Sequence, residues 1–263
     1  MSDLIASYAE FSFQHRRDKT TTDDVPANLQ TTDLQTAYAV QDILVGKLLK
    51  QIGGEKIGYK IGCTSVGAQQ LLNTNAPVYG QMFAAWTHQS PVMLPSADFQ
   101  MIVIEPEFAF TLNADVPAGT YDAESIRPFV ANLIPSIEIV HHRLGDWDRF
   151  DAPKVIADNA IHGAWIAGKR EYDWQHLDLP NHQVTLYADG VEVGAGEGRI
   201  ALGNPLNALA WLANELPHYG HQLIAGQVVT TGVCMNVYTA QPNEQIVADF
   251  GSLGTVEATF IAD

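Results

Sequence analysis

The 263 residues carry 30 Asp and Glu against 14 Lys and Arg, a net charge of −16, and 46% of them are hydrophobic. That balance is globular rather than disordered, and the length suits one large domain with or without a small appendage. The acidity argues against a nucleic-acid or anionic-membrane surface, no apolar run approaches the roughly 18 residues that cross a bilayer, and Met1-Ser2-Asp3-Leu4-Ile5-Ala6 is not a signal peptide, so a cytoplasmic protein is expected.

In chain order, residues 16–28 are polar and predict a loop. Over residues 32–51 the apolar positions Leu34, Ala37, Val40, Ile43, Leu44, Val45, Leu48 and Leu49 recur at spacings of three and four. This predicts a helix capped by Thr31 or Thr32 and stopped at Gly53-Gly54, so the first 55 or so residues form a helical packing arm. From Gly58 the texture changes to short strands punctuated by Gly and Pro. Residues 101–112 predict a strand with Ile102, Ile104, Phe108, Phe110 and Leu112 on one face, interrupted at Pro106, and residues 136–140 predict a second. Asp189-Gly190, between apolar runs at 184–187 and 191–193, predicts a hairpin. Asn204 and Pro205 open a helix reaching Leu216, striped by Leu206, Leu209 and Leu212. Residues 227–231 and 255–261 close the chain as strands. Strands outnumber helices after residue 57 without alternating with them, so the fold class is α+β: a helical segment over 1–56, then a β-rich domain over 57–263.

Chemistry concentrates at three places. In Ile104-Glu105-Pro106-Glu107-Phe108 the two carboxylates of a strand project to one side, about 7 Å apart at the backbone. They repel unless something positive lies between them, and hard oxygen ligands suit Mg²⁺ or Mn²⁺; a solvated sheet edge is the other reading. Glu138 is the lone carboxylate in Leu133-Ile134-Pro135-Ser136-Ile137-Glu138-Ile139-Val140, so it must be paired, protonated or metal-bound, with Arg143 as a candidate partner. Lys60, in Gly58-Tyr59-Lys60-Ile61-Gly62, either moves protons beside a bound keto acid or turns its amine out to solvent. His141 and His142 point opposite ways if extended and read as hydrogen-bonding residues. The glycines of Gly194-Ala195-Gly196-Glu197-Gly198 lack the context of a phosphate loop, and Cys63 and Cys234 read as small core residues.

These residues resemble the 2-keto-4-pentenoate (2-hydroxypenta-2,4-dienoate) hydratase family, in the fumarylacetoacetate hydrolase superfamily, which includes the related 4-oxalocrotonate decarboxylases. The resemblance runs from about Ile57 to the end. It is carried by Gly58-Tyr59-Lys60-Ile61-Gly62-Cys63-Thr64-Ser65, by Glu105 and Glu107, by Pro135-Ser136-Ile137-Glu138 and by Ala157-Asp158-Asn159-Ala160. Leu202-Gly203-Asn204-Pro205-Leu206-Asn207-Ala208 and Thr230-Thr231-Gly232 complete it. It implies a mixed β-roll core, a homo-oligomer, Glu105, Glu107 and Glu138 as Mg²⁺ or Mn²⁺ ligands, and Lys60 as the catalytic lysine. Val78, Asn159, Ile161 and Thr231 fall in stretches expected to contact the substrate. Two departures stand out: Val78 where the hydratases usually place an aspartate, and Ile161 where they often have serine. His162 or His142 is expected to replace the missing acid.

The resemblance implies a metal-dependent lyase that hydrates a small 2-hydroxy-dienoic acid to a 4-hydroxy-2-oxo acid. Decarboxylation of an oxalocrotonate-like 2-oxo-enedioate is the second reading, favoured by Val78, and hydrolysis of an acylpyruvate the third. A non-catalytic binder that has kept the fold and a metal-independent two-carboxylate glycosidase are the rivals from other classes.

Overall fold

The computed structural model describes residues 2–145 and 149–262. Two helices come first, α1 (Ser2–Arg17) and α2 (Leu34–Ile52). They pack together through Tyr8, Ala9, Val40, Leu44, Val45 and Leu48, and this cluster takes in Phe83 and Ala157 from later in the chain.

Two local expectations change here. Helix α1 runs through Arg16 and Arg17, so the loop starts at Asp18. Tyr8, Ser12 and Arg16 follow at helical spacing on one face, and what holds Arg16 there is Asp158, a partner 142 residues away. Asp33, rather than Thr31 or Thr32, caps α2: its carboxylate accepts the Thr36 amide at 2.9 Å and the Thr36 hydroxyl at 2.6 Å. Thr31 instead accepts the Asp33 amide, one step before the helix. The stop at Gly53 is as expected, with φ +68 and its N–H donating to the Leu49 carbonyl.

The first half then supplies β1 (Lys56–Gly62), α3 (Val66–Leu71), β2 (Val78–Phe83), β3 (Thr87–Gln89), β4 (Val92–Pro95), β5 (Ile102–Leu112), α4 (Ala123–Ile126) and β6 (Val130–Val140). The second half supplies α5 (Ala152–Ala157), β7 (His162–Ala167), β8 (Gln183–Ala188), β9 (Val191–Glu197), α6 (Pro205–Glu215), β10 (Val228–Val233), β11 (Tyr238–Ala240), β12 (Gln245–Asp249) and β13 (Thr255–Ile261). One sheet runs β2-β1-β10-β5-β6-β7-β3 with β11 beside β5, and a second runs β4-β13-β12-β8-β9. Pairs β1/β10, β3/β7 and β4/β13 are parallel and the rest antiparallel, which is the mixed α+β architecture expected.

Strands β5 and β6 are the spine, paired from Val103↔Val140 to Leu112↔Val130. Strand β6 is therefore six residues longer than its apolar run predicts, and Pro106 and Pro135 sit inside paired strands rather than ending them. The even face of β5 enters the main core, with the Phe108 ring 5.5 Å from Phe250 and Phe110 5.7 Å from Trp174. Asp189 and Gly190 turn the β8–β9 hairpin with φ of 49° and 77°, the paired positive angles of a type I′ turn. The glycine-rich run 194–198 belongs to β9 and the turn after it.

One side chain links β2, at an end of the larger sheet, to the turn that leads into β7 near the other end. Asn159, just before β7, accepts the Gln81 amide of β2 at 2.7 Å and donates to the Gln81 carbonyl at 2.8 Å. No helix among the described residues is long and apolar enough to cross a membrane. Replacing the observed α2 cap, Asp33→Ala, is expected to cost about 1 kcal/mol in urea unfolding, with Thr32→Ala close to neutral; equal effects would show that the cap assignment is wrong.

Candidate metal centre

Strand register builds the centre. Glu105 stands directly opposite Glu138 across the β5/β6 ladder, and Glu107 follows two residues on, so all three side chains leave the same face. One oxygen from each lies within 4.8 Å of the others. Glu107 and Glu138 are fully buried, while Glu105 reaches the floor of a cavity of about 520 Å³.

Strand β10 completes the floor. Between Thr230 and Val233 it carries one residue more than β5 opposite, a bulge centred on Thr231-Gly232. Gly232, at φ +94, turns its N–H onto Glu107 Oε2 at 2.9 Å. A Cβ there would sit 2.0 Å from Thr64 Oγ1, so only glycine fits. Glu107 Oε1 has no hydrogen-bond partner although it is buried.

Lys60 comes from β1, 2% exposed, with Nζ 3.2 Å from Glu138 Oε2 and donating to the Ala160 carbonyl at 3.2 Å. Burial alone would lower its pKa, but the charges of Glu138, Glu105 and Glu107 outweigh that and hold it above the usual lysine value. Lys60 is therefore an ammonium at neutral pH. Glu138 Oε1 accepts from His162 Nδ1 at 2.9 Å, and burial lowers the His162 pKa despite this contact, so its ring is neutral. Arg143, a candidate partner for Glu138, pairs with Asp158 instead.

Three carboxylates against one ammonium leave a buried deficit of two positive charges. Burial responds by raising the acids: Glu105 is pushed up to about 7, where Lys60 opposes the shift, and Glu107 goes well above the carboxylate range, helped by Glu138 and Glu105. A divalent cation balances this charge. The all-oxygen donor set and the orphaned Glu107 Oε1 fit Mg²⁺ or Mn²⁺.

Four of the sequence-derived candidates, Lys60, Val78, Glu105 and Ile161, line the cavity, and Glu107 and Glu138 close its buried end. The other three stand behind the wall. Asn159 is spent on Gln81, Thr231 Oγ1 donates to the Phe108 carbonyl at 2.8 Å, and His162 backs Glu138 without lining the cavity. His162 is thus not placed to take over the missing acid. Nor is His142, which lies outside the lining with Nδ1 2.7 Å from the Leu144 carbonyl. His141 accepts the Gln100 amide, and Cys234 is fully buried as expected. Cys63 is part of the buried core as expected, and at φ +57 it also forms part of the cavity wall.

Sequence reasoning missed the Ala160 carbonyl that aims Lys60 and the Gly232 amide on Glu107, since backbone groups carry no residue signature. The remaining walls are mostly apolar, including Val103, Val140, Val155 and Met235, with Thr64, Ser65 and Asn236 as polar members and Leu71 and Val237 exposed at the mouth.

Comparisons with known proteins fit this geometry. The model of the fumarylacetoacetate (FAA) hydrolase C-terminal family matches residues 64–261. A 2-keto-4-pentenoate hydratase of Burkholderia vietnamiensis is 34% identical over 231 residues, 87% of this chain and 86% of that one. Another from Paraburkholderia phymatum is 33% identical over the same shares. A solved structure, the 4-oxalocrotonate decarboxylase of Pseudomonas putida G7 complexed with magnesium and adipate, superposes with a TM-score of 0.93. That likeness covers 99% of this chain and 98% of the other at 24% identity, and establishes a shared fold.

The raised acids give the metal-free protein a pH signature. A glutamate whose folded pKa rises from the ordinary 4.5 to about 7 favours folding while protonated, and that contribution is lost as pH climbs through the folded value. In EDTA the urea midpoint is expected to fall from about pH 5 to about pH 8, and excess Mn²⁺ to flatten the decline. A metal-free midpoint that rises over this window would contradict the burial of these carboxylates.

Proposed function

The chain belongs to the fumarylacetoacetate hydrolase family, and on that basis we propose that it is a metal-dependent lyase hydrating 2-hydroxypenta-2,4-dienoate, or a close relative, to a 4-hydroxy-2-oxo acid. The single observation that carries this reading is the buried Glu105–Glu107–Glu138 cluster, with the Lys60 ammonium beside it, at the end of an apolar cavity. The hydratase names of relatives at 33–34% identity support it, and the magnesium in the decarboxylase structure is in keeping with the cation.

Held by Glu105, Glu107 and Glu138, the cation would supply Lewis-acid stabilisation of negative charge on a chelating 2-oxo acid. Lys60, held against Glu138 at the end of the cavity, is the group placed to move the proton. Its ammonium delivers a proton to the far end of the dienol and the amine so formed takes up the 2-hydroxyl proton, giving a 2-oxo-enoate and restoring Lys60. Water then adds across the remaining double bond, its hydroxyl at C4 and a proton at C3. The Ala160 carbonyl and Glu138 fix the direction in which Nζ points, and the apolar walls limit the water that reaches the reacting carbons.

Among the described residues that line the cavity, Lys60, Glu105 and Cys63 are the titratable ones, and Lys60 is the only cation. A second carboxylate would find no further cation in this lining, only Thr64, Ser65 and Asn236 among apolar residues, which favours a monocarboxylate over an oxalocrotonate. Val78, apolar where hydratases usually carry an aspartate, favours the second reading, decarboxylation. Free Cys63 and Cys234 fit a reducing, cytoplasmic setting, and a homo-oligomer belongs to the same proposal.

The test follows the ultraviolet absorbance of 2-hydroxypenta-2,4-dienoate with enzyme and Mg²⁺, separating products by water uptake or CO₂ release. Hydration without CO₂ is expected, and turnover confined to oxalocrotonate with CO₂ release would select the second reading. Glu107→Gln is expected to stay folded but lose bound metal and turnover, and Lys60→Met to retain metal while kcat falls by about 10²–10⁴. Full activity in excess EDTA would refute the proposal.

A further inference from the structure

We propose that Arg16, at the end of helix α1, is a positioning residue for this reaction: its guanidinium clamps the left-handed turn at 159–161 that aims Lys60 and backs the carboxylate cluster.

The Arg16 side chain is 3% exposed and spends all three nitrogens on one short segment. Nε donates to Asp158 Oδ1 at 2.6 Å, Nη2 to the Asp158 carbonyl at 2.6 Å and Nη1 to the His162 carbonyl at 3.0 Å. Asp158 and His162 are the two ends of a five-residue stretch. Between them Asn159, Ala160 and Ile161 have φ of 51°, 47° and 51°, three consecutive non-glycine residues in a region that L-residues seldom enter even singly. Such a conformation persists only where its surroundings over-determine it.

Those surroundings are all present. Asn159 is bonded twice to Gln81, Arg143 Nη1 holds Asp158 Oδ2 at 2.7 Å, and the turn lies against Gly80, where a Cβ would come 2.5 Å from the Asn159 carbonyl. Among the described residues, Arg16 grips both ends through its side chain. Two of its three bonds go to main-chain carbonyls, a task for a planar fork rather than for a point charge.

Three groups from Ala160 to His162 serve the site. The Ala160 carbonyl accepts from Lys60 Nζ, Ile161 forms cavity wall, and His162 Nδ1 supports Glu138. The strain held by Arg16 therefore fixes the direction of the proton-moving amine and the orientation of one carboxylate. Helix α1, whose sequence suggests only packing, reaches the chemistry through this one side chain.

The inference rests on the proposed hydratase reading, so the test has a second arm that is independent of turnover. In Arg16→Ala, kcat on the dienoate is expected to fall by about 100-fold with KM changed far less, since misplacement by about 1 Å costs that much. Ethylguanidinium in the millimolar range should restore part of the loss. Mn²⁺ affinity, read by electron paramagnetic resonance, should weaken about tenfold, as when a residue supporting a ligand is removed. Arg17→Ala, which breaks only the surface pair with Asp18, should match the wild type in both measurements. Should Arg16→Ala fail to fold, Arg16→Lys carries the test: it keeps the charge but loses the fork, and a reduced kcat at near-wild-type melting temperature is expected. Wild-type kcat and Mn²⁺ affinity in either folded Arg16 variant would overturn the inference. A wild-type enzyme that turns over no dienoate would refute the hydratase reading instead, while the Mn²⁺ arm still decides on Arg16.

Discussion

Three carboxylates and one ammonium share the largely buried end of one cavity, and the rest of the molecule is arranged around their unequal charge. Glu105, Glu107 and Glu138 carry three negative charges against the single positive charge of Lys60, while neutral His162 lends a hydrogen bond and no charge. Leaving that imbalance in place costs far more than any surface ion pair returns, so the site is either partly protonated or occupied by a cation. Its neighbours serve this polarity: the β10 bulge offers an amide to Glu107, the Ala160 carbonyl shares the ammonium, and the apolar walls keep the local dielectric low.

The same charge was the most legible feature of the sequence. Glu105, Glu107 and Glu138 stand out because each interrupts an apolar strand, and strand geometry converts the two-residue spacing into a shared face. Lys60 stands out for the same reason. The register that sets Glu138 opposite Glu105 is a property of long-range pairing, which no local pattern contains. The second sheet, too, is visible only as separate short strands until β4 joins β13.

What stayed illegible falls into two kinds. Backbone groups such as the Ala160 carbonyl and the Gly232 amide have no side-chain signature, although the Thr230-Thr231-Gly232 run marked the place. Polar residues were visible but their directions were not. Asn159, Thr231 and His162 all lie in the right stretches, yet each turns away from the cavity to brace the frame. Thr31 and Thr32 lost the α2 cap to Asp33 because which oxygen meets the third amide depends on where the first turn begins. Arg16 read as loop because its partner is far along the chain.

The Asn159–Gln81 bridge joins β2, at one end of the larger sheet, to the turn before β7, next to the other end, and that fixes when the site can exist. Its parts come from residue 16 to residue 232, with Lys60, Glu105, Glu138 and Ala160 spread between them. Assembly thus waits for contacts of high sequence separation, which form late and slowly in chains of this topology. A half-folded chain has no half-working centre. Turnover in this protein is accordingly an all-or-none report on nativeness, a stricter one than secondary-structure content can give.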